Sequence, residues 1–342
     1  MREWTVKSEE KDQRFNKYLQ RKLPGAPSSF LYKMLRKKNI TLNGKKASGS
    51  ELLLEGDLVT LFLSDDTIGK FGGETGAEDK TQAGGSDDEL QEYVKAYRQI
   101  KGRIGNDGIL YEDPDILIVR KPVGVLSQKA AESDRTMNEW LLGYLLEKGE
   151  ADASTLSSFK PSVCNRLDRN TGGILICSKS LTGARKIAEL LRDRTLRKYY
   201  RAAVLGTVRK GGIIEGYLHK DEVTNTVNFT ETAKGGGSWT RTVYEPVIPG
   251  DRYSLLEMEL ITGKTHQLRS HLAQMGHPIL GDPKYGDRKV NEKIRSEFGL
   301  RGQMLWCCRV EFPRMDGDLA GLSEKVIFCD PPRIYTEIAG VK

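Results

Sequence analysis

The stretch Asn165 to Gly173, NRLDRNTGG, followed by the apolar run ILIC, Ile174 to Cys177, decides the fold of the larger part of the chain. Four consecutive apolar residues after a loop predict a strand that is buried on both faces. The loop carries one carboxylate, Asp168, between two arginines and ends in a Gly-Gly pair, which permits close approach of another backbone. A loop of this kind is equally typical of a weak surface salt bridge, so the stretch alone does not decide between structure and function.

Composition limits the class of protein. Of the 342 residues, 38% are hydrophobic and 30% are charged, and a chain of this length exceeds the usual size of one domain. The N-terminus lacks the apolar segment of a signal peptide, and no apolar run has the length needed to cross a bilayer. The five cysteines form neither a zinc pattern nor a disulfide framework. We expect a cytoplasmic protein with reduced cysteines and no membrane partner.

The formal charge of +7 is clustered along the chain. Residues 1–63 carry 13 Lys and Arg against 7 Asp and Glu, a balance of +6, whereas residues 64–90 carry 2 against 8, a balance of −6. Clustered positive charge is typical of a surface that binds a polyanion. We therefore predict three parts: a basic module (1–63), an acidic glycine-rich linker with a following helix (64–103), and a large domain (104–342).

The basic module is predicted to contain two helices and a small sheet. Phe15, Leu19 and Leu23 recur at four-residue spacing, which predicts one buried helix face, and a second helix is expected to start at a Ser28 cap. The dipeptide Asn43-Gly44 predicts a tight turn between short strands. Six cations on the second helix and the following turn are candidates for binding a nucleic-acid backbone: Lys33, Arg36, Lys37, Lys38, Lys45 and Lys46.

The large domain is predicted to be α+β, with a large mixed, mainly antiparallel sheet, because its short strands lack the regular strand-helix alternation of a parallel sheet. It contains no glycine-rich cofactor loop. Three further segments accompany the opening stretch: KPVG at Lys121, RKYYRAAVLG around Tyr200, and TGKTHQLRSHLAQMGHPILGDPKYG around Arg269. The spacing of His266, His271 and His277 does not match common metal ligands, so no metal site is predicted. A helix over 265–275 is expected, with Arg269 on a face turned away from the apolar stripe.

Together these segments resemble the RluA family of RNA pseudouridine synthases, and the basic module resembles the small RNA-binding domain named after ribosomal small-subunit protein four. The family pattern H-R-L-D-x-x-T-S-G corresponds to Asn165–Gly173, K-x-Y-x-A to Lys198–Ala202, and G-[RK]-T-H-Q-[IL]-R to Gly263–Arg269. Asn165 and Gly172 depart from the pattern, where histidine and serine are usual.

The resemblance implies the pseudouridine synthase fold with a central cleft, no cofactor, and isomerisation of uridine to pseudouridine in structured RNA, with large-subunit (23S) ribosomal RNA favoured. It also implies that Asp168 is the essential carboxylate, as nucleophile or base, that Arg269 pairs with it, and that Tyr200 stacks on the uracil. Arg166 is expected to fill the gap left by the flipped base. On this interpretation, the Gly-Gly pair lets the loop approach RNA. We expect a monomer.

Two other functions stay open at this point. A non-catalytic RNA-binding protein of ribosome assembly is suggested by the two departures, Asn165 and Gly172. A glycosidase or nucleosidase would require a second carboxylate near Asp168, and none lies in the three matched motifs.

Overall fold

The computed structural model describes residues 2–7, 10–64, 67–68, 71, 87–221, 226–233, 237–300 and 302–340. The chain divides into two compact units, Met1–Thr81 (unit 1) and Gln82–Lys342 (unit 2). The predicted flexible linker falls mostly on residues outside the described ranges. The helix predicted to follow it is present from Asp87.

Unit 1 is a four-stranded antiparallel sheet with two helices. The strand order is β1-β4-β2-β3. Its elements are β1 (Arg2–Thr5), α1 (Phe15–Lys22), α2 (Ser28–Arg36), β2 (Ile40–Leu42), β3 (Lys45–Lys46) and β4 (Leu58–Leu61).

The apolar spacing of unit 1 is confirmed, and one cap is wrong. Phe15, Leu19 and Leu23 are at most 1% exposed. Ser28 is the first residue of α2 rather than its cap, because Pro27 occupies the cap position and the Ser28 hydroxyl accepts a hydrogen bond from Gln20 instead.

Unit 2 is built on one mixed sheet of 11 strands, consistent with the predicted fold class. Its strands are β5 (Ile109–Glu112), β6 (Ile116–Lys121), β7 (Ser162–Val163), β8 (Gly172–Ser178), β9 (Arg197–Leu205), β10 (Gly212–Asp221), β11 (Thr226–Thr230), β12 (Ser238–Ile248), β13 (Tyr253–Leu260), β14 (Leu305–Glu311) and β15 (Val326–Phe328). The main path is β11-β10-β12-β13-β9-β14-β8-β6-β5, with β15 beside β14 and β7 beside β8. Among these described strands only β14 and β8 pair in parallel.

The helices of unit 2 are α3 (Asp87–Ile104), α4 (Met137–Lys148), α5 (Ala153–Ser158), α6 (Leu181–Arg192), α7 (Gln267–Gln274), α8 (Arg288–Phe298) and α9 (Ile334–Ala339). Within the described ranges, no helix is both long and apolar enough to span a membrane. None of the five cysteines is in a disulfide, and all except Cys164 are buried.

Strand register brings the motifs of distant segments into one row. Tyr200 of β9 pairs with Cys307 of β14, Cys307 pairs with Gly173 of β8, and Gly173 pairs with Lys121 of β6. Directly paired residues point to the same face of a sheet. The row therefore places the Tyr200 ring, the Lys121 side chain and the end of the Asp168 loop on one face.

The Gly-Gly pair serves the sheet and not an approach to RNA, which corrects the sequence-based interpretation. Both glycines are buried in β8. Gly173 has φ of +103°, and a β-carbon there would lie 2.1 Å from the Cys307 carbonyl oxygen; one on Gly172 would lie 2.3 Å from the Trp306 ring. The parallel contact between β8 and β14 therefore requires both residues to be glycine.

Gly173→Ala is expected to destabilise unit 2 by more than about 2 kcal/mol, since it combines a forbidden backbone conformation with a clash in a packed sheet. Gly102→Ala is a matched control, because this glycine lies in α3 and its β-carbon would meet nothing within 4 Å. There, alanine should stabilise the protein by up to about 1 kcal/mol. Chemical denaturation of the two variants measures both effects, and equal unfolding midpoints would contradict this account of Gly173.

Candidate active site

The loop that carries Asp168 is held from both sides. The Leu167 carbonyl accepts a hydrogen bond from the Ser127 hydroxyl at 2.9 Å, and the Leu167 amide donates to the same oxygen at 3.0 Å. The Gly124 amide donates to the Arg169 carbonyl at 2.7 Å. The Asp168 side chain itself is 30% exposed. The carboxylate is therefore presented by a fixed backbone and stays accessible from solvent.

Lys121 lies beneath this loop and is fully buried. Its Nζ donates to the carbonyl oxygens of Val125 (2.6 Å), Pro122 (3.2 Å) and Arg169 (3.2 Å). Burial lowers the pKa of Lys121 to about 7, and the negative charge of Asp168 opposes this shift. The KPVG turn, a weak signal in the sequence, thus joins β6 to the catalytic loop.

Arg269 lies between two carboxylates. Its Nη1 donates to Asp168 at 2.9 Å, as the resemblance implied. Its Nε and Nη2 donate to the two oxygens of Asp282 at 2.7 and 2.9 Å. Arg269 is 5% exposed and Asp282 is fully buried. The paired form of recognition belongs to Asp282, which leaves one nitrogen of Arg269 directed at Asp168.

The turn that carries Asp282 is rigid. Asp282 Oδ1 accepts hydrogen bonds from the backbone amides of Lys284 and Tyr285. The Asn291 side chain of α8 donates to the Asp282 carbonyl and accepts from the Gly281 amide, both at 2.8 Å. Burial raises the pKa of Asp282, but these bonds and Arg269 outweigh it, so the net shift is downward.

Helix α7 fixes Arg269 by being buried on nearly all sides, which corrects the predicted amphipathic helix over 265–275. Every residue from Gln267 to Leu272 is buried. His266 precedes the helix with φ of +53°. The His271 ring contacts the hydroxyls of Thr240 and Thr242 of β12, each at 3.0 Å, and burial lowers its pKa to about 4, so it is neutral. Polar side chains bind this helix to β12, a pattern that apolar periodicity does not detect.

Tyr200 lies in the wall of the same site. It is 5% exposed, and burial raises its pKa well above the usual value, with smaller contributions from Cys307 and Asp168. The phenol therefore stays neutral at physiological pH. It offers an aromatic ring and a hydroxyl, but it is a poor proton acceptor.

The basic candidates are on the surface. Arg166, two residues before Asp168, is exposed, as are Lys33, Arg36, Lys37, Lys38, Lys45 and Lys46 in unit 1. Of the three histidines, His266 contacts Tyr285 and His277 contacts the Leu205 carbonyl. In the parts of the chain that are described, no group of three His, Cys, Asp or Glu side chains could hold a metal ion.

Comparison with known proteins agrees with this geometry. The model of a family described as RNA pseudouridylate synthase matches residues 115–274. Ribosomal large subunit pseudouridine synthase C of Vibrio vulnificus (strain CMCP6) is 28% identical over 306 residues, 88% of this chain and 84% of that protein. Ribosomal large subunit pseudouridine synthase D of Borreliella burgdorferi is 34% identical over 180 residues, 52% of this chain and 54% of that protein. The chain belongs to the RluA family of RNA pseudouridine synthases.

The fold agrees with a solved member of the same class. The structure of human RNA Pseudouridylate Synthase Domain Containing 4 superposes with a TM-score of 0.55 at 22% identity, covering 71% of this chain and 95% of that one. The relatives named here are synthases, so the non-catalytic alternative is not favoured.

Asp282 is the residue of this synthase that sequence reasoning missed. It lies in GDPKYG, within the fourth segment but 13 residues beyond Arg269 and past the end of the helix. It is a second carboxylate close to the site, yet its two oxygens are engaged by Arg269 and by backbone amides. It is therefore unsuited to the acid role that a glycosidase would need.

The two departures from the family pattern have structural explanations. Asn165 is buried; its Oδ1 accepts from the Ile176 amide at 2.7 Å and its Nδ2 donates to the Ile174 carbonyl at 3.4 Å. It thereby fastens the start of the catalytic loop to β8. Gly172 accommodates Trp306, whose ring fills the space that a serine side chain would need.

Asp282→Asn should lower turnover roughly ten- to hundred-fold, because hydrogen bonds to charged groups contribute about 1.5–3 kcal/mol. RNA affinity should stay nearly unchanged, since Asp282 is fully buried. Asp287→Asn, a cap of α8 in the same segment, is the control. Single-turnover rates and RNA affinity test this, and equal rates for the two variants would show that Asp282 does not orient Arg269.

The buried lysine predicts a pH dependence of stability. Since the pKa of folded Lys121 is about 7 against an ordinary 10.5, the unfolded chain binds a proton that the folded chain lacks between these values. The free energy of unfolding should therefore rise with pH in this window, by up to about 1.4 kcal/mol per unit. Lys121→Met should remove that slope, and Lys289→Met, at an exposed lysine, should keep it. Parallel slopes for all three proteins between pH 7 and 10 would contradict the assignment.

Proposed function

We propose that the chain converts uridine to pseudouridine at specific positions of structured RNA, with large-subunit ribosomal RNA as the target. The observation that carries the proposal is the Asp168–Arg269–Asp282 arrangement, in which an accessible carboxylate faces a buried guanidinium. The relatives named as ribosomal large subunit synthases support the choice of RNA.

The reaction breaks the bond between C1′ of the ribose and N1 of uracil, turns the base, and rejoins it through C5. A uridine inside folded RNA must first leave its stack to reach Asp168. Arg166, exposed and two residues from Asp168, is suited to occupy the vacated position. Asp168 then acts on the ribose, either as nucleophile at C1′ or as base.

The surrounding groups divide the remaining tasks. Arg269 holds the Asp168 carboxylate in one orientation through its 2.9 Å bond. Tyr200, a neutral phenol in the wall, supports the uracil ring by stacking. Its raised pKa makes it a poor base, so we assign it to positioning in preference to removal of the C5 proton.

Unit 1 supplies RNA affinity in this proposal. Its exposed cations follow one another from the end of α2 into the β2–β3 hairpin, where Lys38 and Asn43 have positive φ and Gly44 completes the turn. Contacts of this kind bind phosphates, and their contribution to affinity falls as salt rises. They position the RNA and do not take part in the chemistry.

Asp168→Asn should abolish pseudouridine formation and leave RNA affinity within about two-fold of wild type, since one anion is removed and the cations remain. Asp193→Asn, at an exposed aspartate paired with Arg192, is the control and should behave as wild type. Pseudouridine yield, RNA affinity and melting temperature are measured on the same samples. A stable, RNA-binding Asp168→Asn protein with normal turnover would place the chemistry on another residue.

A further inference from the structure

Unit 1 contains a cavity of about 510 Å³ beside α2, which is a volume typical of sites for small ligands. Its apolar lining comes from the Tyr32 ring and from Leu35 and Ala47. Arg36, Lys46 and Glu51 supply charged groups. A surface that only binds phosphates requires neither an aromatic ring nor a carboxylate, so this composition points to a more complex ligand.

The aromatic ring is held in place and remains accessible. Tyr32 is 44% exposed. Its hydroxyl accepts a hydrogen bond from the Asn16 side chain at 2.8 Å. Its edge lies against Gly49, where φ is +91° and a β-carbon would approach the ring to 3.3 Å. A fixed, half-exposed ring can stack on a planar group without a large loss of side-chain entropy.

The carboxylate of Glu51 is fixed as well. Its Oε1 accepts from the Ser48 amide (2.6 Å) and the Ser48 hydroxyl (2.8 Å), and its Oε2 accepts from the Gly49 amide at 2.7 Å. Burial raises the pKa of Glu51, but these bonds outweigh it and the pKa is lowered. A carboxylate offers about four acceptor positions, so one remains for an N–H group of a ligand.

The two cations complete the set. Arg36 ends α2, and Lys46 ends β3. Both are exposed, and neither forms an ion pair with any residue that the structure describes. They are therefore available to a phosphate beside the cavity.

We propose that this cavity binds one unpaired nucleotide of the RNA substrate: the base stacks on Tyr32, an N–H of the base donates to Glu51, and the phosphate pairs with Arg36 and Lys46. A base inside a duplex hides its faces, so the site selects an extruded or single-stranded nucleotide. The inference rests on the proposed function, because it assumes that the chain binds RNA. It assigns unit 1 a role in recognising RNA shape in addition to backbone affinity.

The first experiment uses the full chain labelled with ¹³C-tyrosine. The Tyr32 ring signals are assigned by their loss in Tyr32→Phe, and the protein is titrated to millimolar concentration with AMP, GMP, CMP, UMP and ribose 5-phosphate. We expect a nucleotide to shift the Tyr32 signals and ribose 5-phosphate to leave them in place. The absence of a shift with all four nucleotides, or an equal shift with ribose 5-phosphate, would overturn the proposal.

The second experiment compares a fully paired hairpin RNA with the same hairpin carrying one bulged nucleotide. Tyr32→Ala should reduce the preference for the bulged RNA roughly five-fold or more, since stacking on an aromatic side chain contributes about that much or more per base. Tyr32→Phe should keep most of the preference. Phe62→Ala removes another exposed aromatic ring of unit 1 and serves as the matched control. Equal preferences for Tyr32→Ala and Phe62→Ala would refute the site.

The outcome is separable from that of the proposed function. If wild type forms pseudouridine while Tyr32→Ala binds bulged RNA normally, the cavity site is wrong and the synthase assignment stands. If wild type forms no pseudouridine in any RNA, the proposed function itself fails.

Discussion

The site depends on one buried cation, the guanidinium of Arg269. A charge that is 5% exposed is costly to bury unless it is paired and hydrogen-bonded. Asp282 meets that cost with two hydrogen bonds, and the Tyr285 ring lies 5.1 Å from the guanidinium carbon. Because this pairing already satisfies two nitrogens, the third is free to hold Asp168 without Asp168 having to be buried. The reactive carboxylate can stay 30% exposed and reach a ribose.

Much of the fold serves to keep these three side chains in register. The parallel contact between β8 and β14 brings the catalytic loop beside Tyr200, and it exists because Gly172 and Gly173 leave room for Trp306 and the Cys307 carbonyl. Helix α7 is bound to β12 by polar groups, with the Gln267 side chain donating to the Arg241 carbonyl and the Thr242 hydroxyl at 3.1 Å each. The geometry of the site thus rests on packing within unit 2.

Sequence reasoning recovered what depends on local periodicity and on matched motifs. The buried face of α1, the strands on either side of Asp113-Pro114 and the pairing of Arg269 with Asp168 were all predicted and are present. Asp282 was missed because a carboxylate 13 residues from its partner carries no local signal; only the fold brings the two together. The glycines were misinterpreted for a related reason, since the atoms that they avoid belong to a strand more than a hundred residues later.

The central claim is that this chain isomerises specific uridines in ribosomal RNA. The most direct measurement maps pseudouridines at single-nucleotide resolution in ribosomal and transfer RNA from cells with the gene, without it, and with the gene restored. The account predicts that one or a few positions in large-subunit RNA lose the modification with the gene and regain it on restoration. Identical maps in all three strains would contradict it, and loss confined to transfer RNA would move the substrate to another class of RNA.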